Sequence, residues 1–312
     1  MGNYQNFEES EKRKFLSSYN KNPEDFYILR KVPISKHPIL ANLPFYFAQG
    51  ISGDVNIIIL KLYTSGSNYQ RDNLIEIGMC KIKYSPINNI ITELSSVYRS
   101  VEDPKTKISD EISLQTGLTN ENIQGRVFND SEIASFFAGT SIVVCHNAMF
   151  ERQFFEKRFK LLDNLSWVSS LREIPWRRLD KNIRGLDLTA ILYARHYFYD
   201  KTSALDETLA LVWALLEVPG AFSYVIKSLE PSGAIIYAFG APFDIKDVLR
   251  QNSYHWDGTK KVWYKHVLRV EYLDNEVNLL RNLYDPNSQK FRIKYLNASI
   301  RYKHNVFDES LS

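Results

Sequence analysis

The side chains whose types and spacing suit chemistry fall in a few places. The clearest is Ser141 to Phe159, SIVVCHNAMFERQFFEKRF. An apolar strand pattern (Ile142, Val143, Val144) runs into His146-Asn147-Ala148 and then into a helical pattern with Phe150, Phe154, Phe155 and Phe159. Sites in α/β folds lie beyond the carboxyl ends of strands, so the residue this turn presents is Glu151. A second acidic pair, Asp206-Glu207, opens a long apolar helical pattern, and the two lie on different helix faces. The apolar run Val55 to Leu60 closes on Lys61-Leu62-Tyr63-Thr64-Ser65-Gly66, which carries an ammonium and a phenol. Near the C-terminus, Trp256, Lys260, Lys261, Trp263, Tyr264 and Lys265 interleave bases with aromatics, as a platform for single-stranded nucleic acid does. The same alternation fits core tryptophans with lysines facing water.

The frame His146-Asn147-Ala148-Met149-Phe150-Glu151 resembles the H-N-A-x-F-D motif of the DEDDh 3'-5' exonucleases, the family of the DNA polymerase III epsilon proofreading subunit. In that family the Asp is a metal ligand; here Glu151 is one methylene longer. Lys61 to Gly66 stands where the family has D-x-E-T-T-G, and Thr202-Ser203-Ala204-Leu205-Asp206-Glu207 stands where it has H-x-x-x-x-D. The linker with Glu111-Ile112, Thr116-Gly117-Leu118-Thr119 and Gly125 is similar as well. Lys246-Asp247-Val248-Leu249-Arg250 with Tyr254-His255-Trp256, and the segment FYILRKV, resemble a bacterial subgroup with a C-terminal extension, so the likeness spans nearly the whole chain.

The resemblance implies a ribonuclease H-like α/β fold with a mixed sheet, and cleavage of a terminal phosphodiester by two divalent metals with a His as general base. Every catalytic position is substituted: Lys61, Tyr63, Glu151, Thr202 and Glu207. An ammonium and a phenol cannot ligate Mg²⁺, and Thr202 cannot take up a proton near neutral pH. No Asp or Glu lies among the six residues before Lys61, and a one-residue shift would turn the side chains to the other face. His196 comes six residues early to replace the base. Glu151 and Glu207 without a cation would repel each other, so a Lys61 to Glu151/Glu207 ion cluster is expected in place of a metal site. His146, Asn147 and Gly66 are read as structural, capping and packing the motif. The expectation is thus a DnaQ-like pseudoenzyme without a cofactor that retains binding of single-stranded DNA or RNA. One alternative is a live exonuclease using Mg or Mn on Glu151 and Glu207 with Asp200 or Asp206 helping; the other is a protein-binding scaffold acting through the N-terminal arm or the C-terminal domain.

These motifs need elements to hold them. Residues 1–50 read as an arm, with a short charged helix around Glu8 to Tyr19 and aromatics Phe26, Tyr27, Phe45, Tyr46 and Phe47 that dock it. Residues 51–230 read as the exonuclease-like domain: strands Val55 to Ser65, Asn73 to Ser85 and Ile91 to Ser100, short helices from Asp110 to Gly125, the strand and helix of CHNAMFE, a strand-like piece in LSWVSSLREIPWRRL, and helices Leu186 to Tyr197 and Ser203 to Glu217. Residues 231–312 read as a small α+β domain of βαββαβ order, from Ala234 to a last strand Phe291 to Tyr302. A net charge of +3, from 39 bases and 36 acids, neither demands nor excludes a nucleic-acid partner, because a local groove can be basic on a nearly neutral protein. Cys80 and Cys145 sit in strand patterns without metal-ligand spacing, as core thiols of a cytoplasmic protein do, and no apolar run reaches the ~20 residues of a membrane span.

Overall fold

The computed structural model describes residues 13–14, 16–18, 20–25, 29–31, 38–50, 53–160, 162, 164–195, 197–198, 203–231, 233–258, 260–267, 270–284 and 290–303. Thr202, Asp200 and His196, and Phe26 and Tyr27 of the arm, lie outside the described residues. The strands are Arg30–Lys31 (β1), Phe45–Tyr46 (β2), Val55–Thr64 (β3), Leu74–Ser85 (β4), Ile90–Val101 (β5), Ile142–Cys145 (β6), Ser166–Ser169 (β7), Tyr197–Phe198 (β8), Gly233–Phe239 (β9), His255–Asp257 (β10), Val262–Val267 (β11) and Phe291–Leu296 (β12).

Strand β3 lies inside a six-stranded mixed sheet of order β2-β5-β4-β3-β6-β7, antiparallel to β4 and parallel to β6. Its continuous apolar run is explained by burial on both faces. Ile57 and Ile59 join the core under the helix Ala204–Glu217, while Ile58, Leu60 and Leu62 pack on the opposite side with Phe154 and Phe155 of the helix Ala148–Arg158. The fold is therefore mixed α/β, with helices on both sides of the sheet, the ribonuclease H-like architecture that the resemblance implies. No single helix among the described residues is long and apolar enough to cross a membrane.

The arm docks in the way its aromatics predict: β2 pairs with β5 at the sheet edge, Phe45 and Phe47 pack on the core, and Phe47 meets Trp213 edge-on at 6.1 Å. Helical backbone is present at residues 13–14, 16–18 and 20–21. The expected helix Leu186 to Tyr197 is shorter, Leu188–Tyr193, because Tyr197 and Phe198 instead pair in parallel with Arg30 and Lys31. The expected last strand stops at Leu296 rather than Tyr302, and residues beyond it turn back onto the large sheet. Helices Asp130–Phe137 and Ala221–Lys227 are additions to the expected elements.

Strands β9 to β12 form a separate four-stranded sheet of order β10-β11-β9-β12. Helices Lys246–Gln251 and Leu273–Leu283 cover one of its faces through Leu249, Leu273 and Leu280.

Candidate functional site

Parallel pairing of Ile58 with Val143 and Ile59 with Val144 sets the carboxyl ends of β3 and β6 side by side. Lys61, within β3, stands level with the point where β6 gives way to His146, and the helix that follows carries Glu151 in its first turn. Glu151 is fully buried, and its Oε2 accepts the Asn147 backbone N–H at 3.0 Å. The cap of this helix is thus supplied by the Glu151 carboxylate. The Asn147 side chain makes no capping bond, which corrects the expectation of an Asn cap. His146 does pack as expected: Nε2 lies 2.9 Å from the Leu186 carbonyl and Nδ1 2.8 Å from Ser170 Oγ. A carbonyl only accepts, so Nε2 donates and Nδ1 accepts from the hydroxyl. Burial, then the Lys61 charge, lower the His146 pKa and favour this neutral tautomer.

The opposite wall comes from the helix Ala204–Glu217. Ser203 caps it, its Oγ accepting the Asp206 N–H at 3.2 Å and donating to Asp206 Oδ2 at 2.9 Å, so Asp206 is occupied at the cap and Glu207 faces the site. The helix crosses β4 at Gly78, where any Cβ would come 2.3 Å from the Leu205 nitrogen, and Thr208 Oγ1 donates to the Gly78 carbonyl at 3.1 Å. Only glycine permits so close a crossing.

The structure brings Lys61, Tyr63, Glu151 and Glu207 together. Lys61 Nζ stands 3.3 Å from Glu151 Oε1 and 3.4 Å from Glu207 Oε2, and the Tyr63 hydroxyl donates to Glu207 Oε1 at 2.9 Å. Burial works against the ammonium, but the charges of Glu151 and Glu207 outweigh it and hold the Lys61 pKa above its ordinary value. Burial lifts the Glu151 pKa, with Lys61 pulling it back. A divalent cation does not fit these residues: an ammonium stands within ion-pair distance of both carboxylates, and among the described residues no three His, Cys, Asp or Glu side chains converge as a metal-ligand set.

Sequence reasoning missed Glu76. This fully buried carboxylate on β4 accepts Arg99 Nε at 2.6 Å and the Ala204 N–H at 3.2 Å, so it helps seat the helix that presents Glu207. An acid at an inward position of the otherwise apolar run NLIEIGMC was the available signal. Gly66 closes the turn after β3: Thr64 Oγ1 donates to its carbonyl at 2.6 Å, and a Cβ would meet the Asp72 carboxylate at 2.3 Å. A separate cleft of about 280 Å³, lined by residues including Asn73, Glu102, Lys105, Arg126 and Lys157, does not include the Lys61 cluster.

The C-terminal hairpin needs correction. Trp263 is buried among Leu249 and Leu273 with the Arg250 guanidinium 5.7 Å from its ring, so it cannot stack a base. Trp256, half exposed, leans on Trp263 at 5.5 Å. Lys260 and Lys261 lie at the hairpin turn, where the Lys260 N–H is held by Asp257 at 3.0 Å.

No family model matches the chain. In sequence it is similar to a PolC-type DNA polymerase III of Thermotoga maritima, 30% identical over 132 residues, which are 42% of this chain and 9% of that polymerase. A PolC-type DNA polymerase III of Clostridium perfringens is 30% identical over 108 residues, 34% of this chain and 7% of the relative. The chain thus spans less than a tenth of the length of these relatives. Among solved structures, E. coli exonuclease I in complex with an oligonucleotide aligns with a TM-score of 0.44 at 13% identity, covering 69% of this chain and 63% of that one. A full-length 3'-exonuclease aligns with a TM-score of 0.41 at 14% identity, covering 55% and 62%.

Proposed function

We propose that this chain, a relative of the DnaQ-like 3'-5' exonuclease family, is a catalytically silent exonuclease-like protein that binds single-stranded nucleic acid without cleaving it. The observation that carries the reading is Lys61 Nζ within 3.4 Å of both Glu151 and Glu207. An ammonium between two carboxylates supplies the positive charge that they would otherwise seek from a cation, and it does so without a water to activate or an open coordination position. Tyr63, at the other substituted position of the same strand, engages the remaining Glu207 oxygen, so both Glu207 oxygens face donors from β3. His146 does not serve as a base either: Nε2 is spent on the Leu186 carbonyl and Nδ1 on Ser170.

The reading is tested by incubating the full chain with end-labelled single-stranded DNA and RNA in Mg²⁺ or Mn²⁺. It predicts no shortening of either strand. Shortening that disappears in Glu151→Ala would overturn it.

A further inference from the structure

Between the carboxyl end of β7 and the helix Leu188–Tyr193 the chain runs SLREIPWRRLDKNIRGLD, Ser170 to Asp187, through two short helices, Ser170–Glu173 and Trp176–Leu179. Ile174, Trp176 and Ile183 anchor it in the core, and Trp176 Nε1 donates to the Ser170 carbonyl at 2.8 Å. With those side chains inward, Arg172, Arg177, Arg178, Lys181 and Arg184 are left exposed. From Arg172 to Arg184 five bases meet two acids, so this stretch carries +3, as much as the whole chain. Its acids are engaged elsewhere: Glu173 pairs with Arg301, and Asp180 is buried against Arg195 at 3.1 Å. Asp187, the next acid along, caps the following helix by accepting the Ala190 N–H at 2.9 Å. The side chains of Arg178, Lys181 and Arg184 make no hydrogen bond or ion pair with the described residues. Two contacts seat the segment beside the Lys61 cluster. The Leu186 carbonyl accepts from His146 Nε2 at 2.9 Å, and Arg172 Nη2 reaches Met149 Sδ, two residues before Glu151, at 3.4 Å. Arg177 Nη2 donates to the Arg184 carbonyl at 3.0 Å and holds the later part of the basic run together. Met149 and Leu186 are themselves exposed.

We infer that the basic rim of Arg172, Arg177, Arg178, Lys181 and Arg184 holds the phosphate backbone of a single-stranded nucleic acid alongside the Lys61 site. Guanidinium forks match phosphate oxygens, and four of the five cations are arginines. One sign of charge along the whole run suits a partner with a charge on every unit, as a phosphate chain has, whereas a protein-docking face would not need it. Such contacts draw their strength from counterion release and need no metal, so they are compatible with carboxylates already neutralised by Lys61. Met149 and Leu186 add exposed apolar surface next to the cations, which suits the faces of unpaired bases; a duplex keeps those faces stacked inside. This rests on the nucleic-acid part of the proposed function, and it supplies a contact surface that the buried Trp263 does not.

The test is fluorescence anisotropy of labelled dT and rU oligonucleotides about 12 nucleotides long, titrated with the full chain over a salt series. Arg178→Ala/Lys181→Ala/Arg184→Ala removes three exposed cations that make no bond to the described residues, so its melting temperature should match that of the wild type. At about 0.7 per phosphate contact, it should lower the salt slope by about 2 and weaken binding about a hundredfold at about 0.1 M salt. Arg178→Lys/Arg184→Lys keeps the charge and should keep the slope. Comparison of the dT and rU arms assigns DNA or RNA. Binding that survives the triple substitution with an unchanged slope, or that falls instead with Trp256→Ala, overturns the rim and leaves the proposed function standing. Tighter binding of a duplex of the same length than of either single strand also overturns it. Absence of wild-type binding to both oligonucleotides overturns the rim together with the nucleic-acid part of that function. Cleavage of the oligonucleotides in Mn²⁺ overturns only the silent site.

Discussion

Lys61 decides the character of the site. It sits with two carboxylates at 3.3 and 3.4 Å, one of them fully buried, and a buried carboxylate left without its cation is expensive. Lys61→Met should therefore destabilise the fold by about 3–5 kcal/mol in chemical denaturation, and adding Glu151→Gln and Glu207→Gln should recover most of that loss. The sign of the pH dependence follows from the raised Lys61 pKa. The ammonium's contribution is complete below its unfolded value of about 10.4 and is lost as pH rises from there through the folded value. Stability between about pH 10.5 and 12 should thus fall more steeply with pH for the wild type than for Lys61→Met; parallel curves would show that the lysine is not coupled to the carboxylates. Tyr63→Phe removes the hydroxyl donor to Glu207 and should cost about 1.5–3 kcal/mol, the range for a hydrogen bond to a charged group.

At the scale of elements, the site depends on how closely the helix Ala204–Glu217 crosses β4. Gly78→Val would drive a side chain into the Ala204 and Leu205 backbone, and so should displace Glu207 from Lys61 and lower the melting temperature by about 2–12 °C, the shift of a 1–3 kcal/mol overpacking in a domain of this size. The strands and most helices were legible from periodicity because β3, β4 and the helix of Phe154 and Phe155 bury their patterned faces in one core. The helix Leu188–Tyr193 was overextended because the pairing of Tyr197–Phe198 with Arg30–Lys31 is a long-range contact that no local pattern announces. The partnership of Lys61 with Glu151 and Glu207 could be read from motif frames. Its consequence for Asn147 could not, because a longer Glu151 side chain reaches back to the Asn147 N–H and takes over the cap. Which face of the hairpin packs on the helices was not legible, because alternation gives two faces but not which one the helices cover; Trp263 lies on the covered one.

Across the whole molecule, the C-terminal segment returns to the large sheet. The Trp167 backbone N–H donates to the Ala298 carbonyl at 2.8 Å, the buried Arg152 guanidinium donates to the Ser299 carbonyl, and Arg301 pairs with Glu173. Tyr302 fills the core beside Phe155 and Trp167 and donates to Glu173 at 3.0 Å. The small sheet is thereby tied to the core on which the Glu151 helix packs. Tyr302→Ala should cost about 3–5 kcal/mol, as other large aromatic truncations in cores do, with the loss seen in the denaturation midpoint of the large sheet. A change confined to the small sheet would contradict this coupling.

The central claim is that Lys61 occupies the place of a metal cation. Isothermal titration calorimetry with Mn²⁺ tests it most directly, comparing the wild type with Lys61→Asp/Tyr63→Glu. No measurable Mn²⁺ binding is expected at the Lys61 site of the wild type, and a gain of binding in the double variant, where two further carboxylates converge with Glu151 and Glu207. Micromolar Mn²⁺ binding by the wild type that is lost in Glu151→Ala would contradict it.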